Sequence, residues 1–191
     1  MMKLILASAS PRRAEVLRDA GLEFEAITTS VDEALRPNER AEELVQRLAE
    51  AKARSASARA QGPAIVVGAD TEVVVDSLVL GKPASADDAR DMLRRLSGRT
   101  HRVVTGLVAI RLPDGATREA LEATQVTFAP LSPEEIEDYV ASGEPFDKAG
   151  AYAIQGRAGR FVTRVDGCYF NVVGLPLARL YRILRELGWQ G

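Results

Sequence analysis

The sequence predicts an α/β fold in which a mixed central sheet is flanked by helices. Short apolar runs typical of buried strands alternate with amphipathic helical patterns along the chain. The turn signal Pro113-Asp114-Gly115 separates two long strand patterns, which predicts one antiparallel hairpin in the sheet. The 191 residues contain no internal repeat and no convincing linker, so we expect a single domain over residues 1–191.

Composition and charge exclude several classes of function. A net charge of −2 provides no overall basic field for nucleic acid or an anionic membrane, so cations that bind an anion must be gathered locally. The single cysteine, Cys168, excludes an internal disulfide and a cysteine metal cluster, fits a reducing cytoplasm, and is expected to be a small core residue. The apolar opening Leu4–Ala7 is too short for a signal peptide or a membrane span. The single histidine, His101, is interpreted as structural because no acid stands beside it.

The first candidate site follows the first predicted strand. Leu4–Ala7 is typical of a buried strand, Ser10 is a suitable N-cap, and Pro11 suits the first helical position. A helix N-terminus favours an anion, and the adjacent Arg12 and Arg13 add the forked charge that binds phosphate. The glycines of a P-loop are absent. The alternative interpretation is a capped helix with two surface arginines.

Two further candidates lie before and within the next predicted helix. Leu22–Ile27 alternates like a strand and leads to a polar stretch in which Asp32 is interpreted as a solvated loop residue. Glu33 becomes interesting only if the fold brings it near other polar groups. Asn38 is the predicted N-cap of a long helix, and Lys52 lies on the apolar stripe of that helix. Lys52 can either extend to water or reach inward to a bound anion.

Asp70 is the strongest candidate from the residues alone. It interrupts the apolar stretch Ala64–Val75, whose two parts predict separate strands, and it follows the small residues Gly68 and Ala69. An acid between two buried strands is costly unless it is paired or binds a metal. We therefore interpret Asp70 as functional.

The second half of the chain adds two candidates. Lys82 stands on a turn whose direction is set by Gly81 and Pro83, and Ser85 and Ser132 are predicted to cap the helices that follow them. The segment Glu144–Gly156 mixes glycine, charge and aromatic residues. Its Gln155 carries a carboxamide that can both donate to and accept from a nucleobase edge. The alternative is a loop amide that binds the backbone.

Four motifs together resemble the Maf family. They are Ser8-Ala9-Ser10-Pro11-Arg12-Arg13, Gly68-Ala69-Asp70-Thr71, Leu80-Gly81-Lys82-Pro83 and Gly150-Ala151-Tyr152-Ala153-Ile154-Gln155-Gly156. The resemblance spans essentially the whole chain in the family's order. It implies a fold shared with the inosine triphosphate pyrophosphatases, with two α/β lobes and a cleft between them. It also implies hydrolysis of a nucleoside triphosphate to the monophosphate and pyrophosphate with a divalent metal, in a family once named for inhibiting septum formation.

The resemblance assigns roles to particular residues. Arg12, Thr71 and Gln155 would be specificity positions, and Thr71 and Gln155 resemble the branch that acts on dTTP and UTP rather than the branch that acts on 7-methyl-GTP. The remaining expected substrate-binding residues are Ser8, Arg13, Lys52 and Lys82.

Two carboxylates are the expected metal ligands. Asp70 and Glu33 suit Mg²⁺ or Mn²⁺, because both ions prefer oxygen ligands. Asp70 is also the expected catalytic residue. It would act either as the base that deprotonates water or as a metal ligand alone, and the sequence leaves both roles open.

The same residues leave two alternative functions open and lead to expectations about binding partners. The alternatives are a non-enzymatic nucleotide-binding regulator of cell division and a pyrophosphatase for non-standard purine nucleotides. We expect a nucleoside triphosphate as substrate, no nucleic acid and no membrane. The resemblance implies a homodimer, for which the edge of the predicted hairpin is a candidate contact.

Overall fold

The computed structural model describes residues 2–190, and strands and helices alternate along them. The strands are β1 (Lys3–Ala7), β2 (Glu25–Ala26), β3 (Ala64–Val75), β4 (Leu78–Leu80), β5 (Thr100–Leu112), β6 (Thr117–Phe128) and β7 (Val162–Asp166). The α-helices are α1 (Pro11–Asp19), α2 (Ala41–Ser57), α3 (Ala86–Leu96), α4 (Pro133–Ala141), α5 (Tyr169–Val173) and α6 (Leu177–Glu186). Short 3₁₀ turns occupy Glu144–Asp147, Ala149–Ala151 and Arg157–Phe161.

The strands form one mixed sheet. Its order is β2-β1-β3-β5-β6-β7, and β4 pairs with β3. β1 runs parallel to β2 and to β3, whereas β4 runs antiparallel to β3 and β7 antiparallel to β6. The predicted hairpin is formed by β5 and β6, and the Gly115 N–H donates to the Arg111 carbonyl at 2.8 Å in the turn between them. The predicted fold class, a mixed sheet flanked by helices, is confirmed.

The chain divides into two compact units. The first consists of the chain through Asp70, Thr105–Glu122 and the chain from Gly174 onward. The second consists of Thr71–Val104 and Ala123–Val173. The division therefore falls within β3, between Asp70 and the residue that follows it. Among residues 2–190, no helix is long and apolar enough to cross a bilayer.

In the first unit, α2 lies close against β3. A Cβ atom on Gly68 would lie 2.0 Å from the carbonyl oxygen of Ala49, so only glycine permits this approach of strand to helix. Ala49 and Ala53 of α2 are fully buried beside it. The small side chains of both elements thus bring the helix that carries Lys52 onto the strand that carries Asp70.

The second unit is built around a cluster of rings. His101, Phe128 and Tyr152 pack edge to face, with ring centroids 4.8 to 5.4 Å apart. Tyr139 and Phe161 add a perpendicular pair at 5.5 Å. Edge-to-face packing places the positive rim of one ring on the negative face of another, so these contacts add to the apolar burial that stabilises this unit.

Several local predictions are confirmed. Ser85 and Ser132 cap α3 and α4, and their hydroxyls accept from the N–H groups of Asp88 and Glu135.

Other local predictions are wrong. The stretch Ala64–Val75 is one continuous strand, because the carboxylate of Asp70 is paired and therefore does not end the pairing of β3. The predicted strand Leu22–Ile27 is reduced to Glu25–Ala26. The N-cap of α2 is Arg40, because Asn38 lies in a turn with φ of 61°.

Two side chains also differ from expectation. Ser10 holds the predicted N-cap position of α1, but its hydroxyl makes no capping hydrogen bond. Cys168 is only half-buried, because it lies at the N-terminal end of α5, where its backbone rather than its thiol is held by Thr124. The homodimer and the single domain over residues 1–191 stay predictions.

Candidate functional site

The end of β1 carries the first part of the site. Ser8 and Arg13 are both buried, at 8% and 9% exposure. The Arg13 Nη1 donates to the Ser8 Oγ at 3.3 Å, and its Nε donates to the Gly174 carbonyl at 2.8 Å. The Ser10 N–H donates to the Ser8 Oγ at 3.1 Å. Arg13 is thus a positioned side chain of the first unit rather than a surface arginine, whereas Arg12 is half-buried.

The second part of the site is a buried cluster of charges. The Lys52 ammonium lies 2.6 Å from Asp70 Oδ1 and 2.7 Å from Glu33 Oε1. Lys52 and Asp70 are buried, whereas Glu33 is exposed. Lys52 therefore reaches inward, and the fold brings Glu33 next to it, as the functional interpretation of both residues requires. The predicted solvated loop position of Asp32 is confirmed, because this residue is exposed.

Strand register relates the two parts. Ala7 of β1 pairs in parallel with Gly68 of β3. Ser8 therefore stands one residue beyond this pair, and Asp70 two residues beyond it in the neighbouring strand. The hydroxyl–guanidinium contact consequently lies just beyond the carboxyl end of β1, the end at which α/β folds commonly bind ligands. The charge cluster lies beside that end on the neighbouring strand β3.

An ion pair that the sequence analysis missed supports the Glu33 loop. The Arg47 guanidinium contacts Glu39 at 2.6 Å and donates to the carbonyl oxygen of Ala34 at 3.0 Å. Arg47 lowers the pKa of Glu39 from its ordinary value to about 2 by hydrogen bonding, and Glu39 raises the pKa of Arg47 in return. Arg47 precedes Lys52 by five residues on α2, so it lies off the apolar stripe of that helix. In the sequence, this position was the only indication that Arg47 contacts a different segment from Lys52.

The second unit holds the other three candidates. Thr71 is half-buried in β3, Lys82 is exposed in the bend after β4, and Gln155 is exposed in a turn. In that turn the Gly156 N–H donates to the Ala153 carbonyl at 3.1 Å. The structure gives Gln155 a defined turn, while its role in binding stays a prediction.

His101 is structural, as its sequence context predicts. Its Nε2 lies 2.8 Å from the Tyr152 hydroxyl in the ring cluster of the second unit. Burial lowers the pKa of His101 from 6.5 to about 4 and raises the pKa of Tyr152 well above its ordinary value. Both side chains are therefore neutral at pH 7.

The charge cluster has one carboxylate oxygen that the fold does not satisfy. Asp70 Oδ2 is buried and accepts no hydrogen bond from the described residues 2–190. Across the same residues, no group of three or more histidine, cysteine or acidic side chains is arranged to hold a metal ion. Within the charge cluster, the groups that could hold a metal are the carboxylates of Asp70 and Glu33.

Comparison with known proteins places the chain in a family. The family model described as "Maf-like protein" matches residues 3–187. A protein of Symbiobacterium thermophilum named dTTP/UTP pyrophosphatase is 52% identical over 99% of this chain and 96% of its own length. Proteins with the same name from Geobacillus sp. and Carboxydothermus hydrogenoformans are 50% and 48% identical, over 99% and 98% of this chain and all of their own length.

Among solved structures, a nucleoside-triphosphatase / dITP/XTP pyrophosphatase from Mycobacterium abscessus covers 74% of this chain and 95% of its own. It has a TM-score of 0.39 and 16% identity, and at that TM-score the likeness supports no conclusion. The family rests instead on the match over residues 3–187 and on relatives about half identical over their full length. The chain therefore belongs to the Maf family.

Proposed function

We propose that this protein is a nucleoside triphosphate pyrophosphatase that hydrolyses dTTP and UTP to the monophosphate and pyrophosphate. The observation that carries the proposal is the buried ammonium of Lys52 between Asp70 and Glu33, next in the sheet to the Ser8–Arg13 contact. Relatives that are about half identical over nearly their whole length carry the name of this activity, which supports the same assignment.

Phosphate binding is the role we assign to the cations of the first unit. A triphosphate carries several negative charges that must be neutralised before water can attack phosphorus. Arg13 is held at Ser8 and Gly174, so its guanidinium plane is oriented before substrate arrives. Such preorganisation avoids the cost of ordering a long side chain during the reaction. Lys52 is ordered in the same way by its two carboxylates.

Asp70 is the residue to which we assign the proton transfer. In the proposed step a water oxygen bonds to the α-phosphorus, the bond from that phosphorus to the bridging oxygen of the β-phosphate breaks, and pyrophosphate leaves. Asp70 Oδ2, which accepts no hydrogen bond from residues 2–190, would accept the proton of the water, while Oδ1 stays with Lys52.

A divalent metal fits the same residues. Mg²⁺ is usually bound through one or two carboxylates together with substrate phosphates and water, so it does not require a cluster of three acids. Asp70 Oδ2 and Glu33 would hold it, and the trio with Lys52 carries a net charge of −1, which favours a cation. When bound, the ion supplies neutralisation of phosphate charge and lowers the pKa of coordinated water. Asp70 would then act as a ligand rather than as the base.

Base selectivity and further phosphate contacts are assigned to four residues by the family resemblance. Arg12, Thr71 and Gln155 are the proposed specificity positions, and Lys82 is a proposed phosphate ligand. The defined turn of Gln155 and the exposure of its carboxamide support a role in reading a base. We further propose a cytoplasmic homodimer, supported by the single cysteine and by the resemblance, respectively.

The test is pyrophosphate release from a nucleotide panel. The purified protein is assayed with dTTP, UTP, dCTP, dGTP, ITP and 7-methyl-GTP, with Mg²⁺, with Mn²⁺ and with a chelator. We expect release from dTTP and UTP that depends on metal. Preference for ITP would favour a pyrophosphatase for non-standard purines. Tight binding of dTTP without turnover would contradict an enzyme and favour a nucleotide-binding regulator.

A further inference from the structure

We propose that Glu144 is a positioning residue that holds the turn of Gln155 and thereby sets discrimination between pyrimidine bases. The inference rests on the proposed function, because it takes Gln155 as the residue that reads the base. Glu144 itself is not proposed to touch the nucleotide. Every residue that carries the geometric part belongs to the second unit.

The carboxylate of Glu144 anchors the chain on both sides of Gln155. Its Oε1 accepts from the Tyr139 hydroxyl at 2.8 Å, and that hydroxyl in turn accepts from the Ala153 N–H at 3.3 Å. Its Oε2 accepts from the Arg157 N–H at 3.1 Å. Ala153 precedes Gln155 by two residues and Arg157 follows it by two, so one side chain fixes both ends of the turn.

Gly156 shows how closely the turn packs on this carboxylate. A Cβ atom at Gly156 would lie 2.2 Å from Glu144 Oε1 and 2.6 Å from Oε2. The backbone beside Gln155 therefore lies directly on the carboxylate, with no room for a side chain. The close approach adds a steric limit to the hydrogen bonds on either side of Gln155.

Glu144 is in turn fixed to the core of the second unit. Its carbonyl oxygen accepts from the Lys148 Nζ at 2.6 Å. Tyr139, which binds its carboxylate, is fully buried and packs perpendicular to Phe161. The turn is thus connected through Glu144 to side chains that are buried and held in place by packing.

This connection matters because a carboxamide reads a base only when its orientation is fixed. Its oxygen and its nitrogen differ in hydrogen-bond character, and thymine differs from cytosine in the same respect at its base-pairing edge. A turn that rotates freely would offer either group to either base. We therefore expect loss of Glu144 to reduce discrimination more than it reduces phosphate handling.

The experiment compares dTTP with dCTP in wild type and five variants. The ratio of the two kcat/KM values is the readout, because misfolding lowers both values equally and leaves the ratio unchanged. For Glu144→Ala we expect the ratio to fall about tenfold, the effect of losing one to two oriented hydrogen bonds. Tyr139→Phe removes only the hydroxyl between Glu144 and Ala153, keeps the buried ring, and should lower the ratio less.

Two variants serve as rescue and control, and one as reference. Glu144→Gln can still accept from the Arg157 N–H and donate to the Tyr139 hydroxyl, so it should keep most of the wild-type ratio. Glu137→Ala removes an exposed glutamate of α4 that pairs with Arg90, and its ratio should match wild type. Gln155→Ala gives the ratio expected when the carboxamide is absent.

The outcomes separate this inference from the proposed function. A wild-type ratio in Glu144→Ala, together with a lowered ratio in Gln155→Ala, would overturn the positioning role and leave the activity standing. An unchanged ratio in Gln155→Ala would remove Gln155 as base reader and with it the inference, although pyrophosphate release would stand. Wild-type protein that releases pyrophosphate from neither nucleotide would overturn both.

Discussion

The two units bury polar side chains in opposite ways. In the first unit the buried polar residues are largely charged, with Lys52 between Asp70 and Glu33 and Arg13 held at Ser8. In the second unit they are neutral, and each makes at least one hydrogen bond, although His101 Nδ1 and Asn171 Oδ1 are buried without a partner among residues 2–190. His101 contacts the Tyr152 hydroxyl, and the Asn171 Nδ2 donates to the Val103 carbonyl and to the Thr124 hydroxyl.

The buried charges of the first unit and the buried neutral groups of the second unit differ in how much each contributes to stability. The attraction within a buried ion pair stabilises the fold by little more than the free energy lost when its charges leave water. Replacing both partners by apolar residues therefore often leaves the free energy of unfolding unchanged or higher. A neutral hydrogen bond contributes about 1 kcal/mol when both partners are satisfied. The charges of the first unit are therefore better explained by a ligand that needs them than by the fold. The neutral hydrogen bonds of the second unit join packed side chains and require no charged ligand.

The largest effect should come from removing the charge of Asp70. Asp70→Asn keeps the size of the side chain but cannot take a proton from water or hold a cation as a carboxylate does. We expect the rate of pyrophosphate release from dTTP to fall about 10³-fold, within the range for loss of a general base. Near-normal release would refute both roles of Asp70. A metal titration of residual activity distinguishes them, since only loss of a ligand should raise the Mn²⁺ concentration required.

The next largest effect should appear in the stability of the charge cluster. Lys52→Met keeps the apolar stem but leaves the carboxylate of Asp70 buried without its cation. We expect the free energy of unfolding in urea to fall by about 3 kcal/mol, the cost of breaking a buried pair at one partner.

The double variant Lys52→Met/Asp70→Asn should regain much of that loss, because no uncompensated charge remains. Arg54→Ala on the same helix, which breaks an exposed pair with Glu50, is the matched control and should cost less than about 0.5 kcal/mol. A Lys52→Met protein as stable as Arg54→Ala would show that the cluster is not desolvated.

The smallest of the three effects concerns His101 and pH. Its pKa in the folded protein is about 4, below the ordinary 6.5, because burial disfavours the charged ring. Below pH 6.5 the unfolded chain therefore binds a proton that the folded chain does not, and stability falls as pH drops toward 4. Between pH 7 and pH 5 this group should lower the free energy of unfolding by about 2 kcal/mol.

His101→Gln isolates that contribution. It removes the titration while keeping a donor and an acceptor near the Tyr152 hydroxyl. Urea unfolding at pH 7 and pH 5 should show a smaller pH-dependent loss in the variant than in wild type, with other titrating groups common to both. Equal losses would contradict the assignment of His101 as a buried neutral ring. Activity at pH 7 should be unchanged if the second unit's network is structural.

Local sequence was sufficient for features that depend on neighbours along the chain. The caps at Ser85 and Ser132 and the hairpin turn at Pro113-Asp114-Gly115 need only residues three or four apart, and all three are confirmed. The N-cap of α2 was misplaced by two residues because the Arg40 N–H donates to Glu43 Oε2, so the helix begins after Arg40 rather than after Asn38. The two strands predicted around Asp70 are one strand, since its pairing partner lies 18 residues away on another element.

By itself, the sequence determined the alternation of strands and helices, the separation of charged motifs along the chain, and the membership of the Maf family. It did so because periodicity, capping and motif spacing are local properties. Only the tertiary structure decided that Lys52 points inward, that Glu33 joins it at Asp70, and that Glu144 holds the turn of Gln155. Those facts depend on how closely backbones approach, as at Gly68 under Ala49 and at Gly156 on Glu144. The approach of segments distant in sequence is set by packing of the whole core, which no local pattern records.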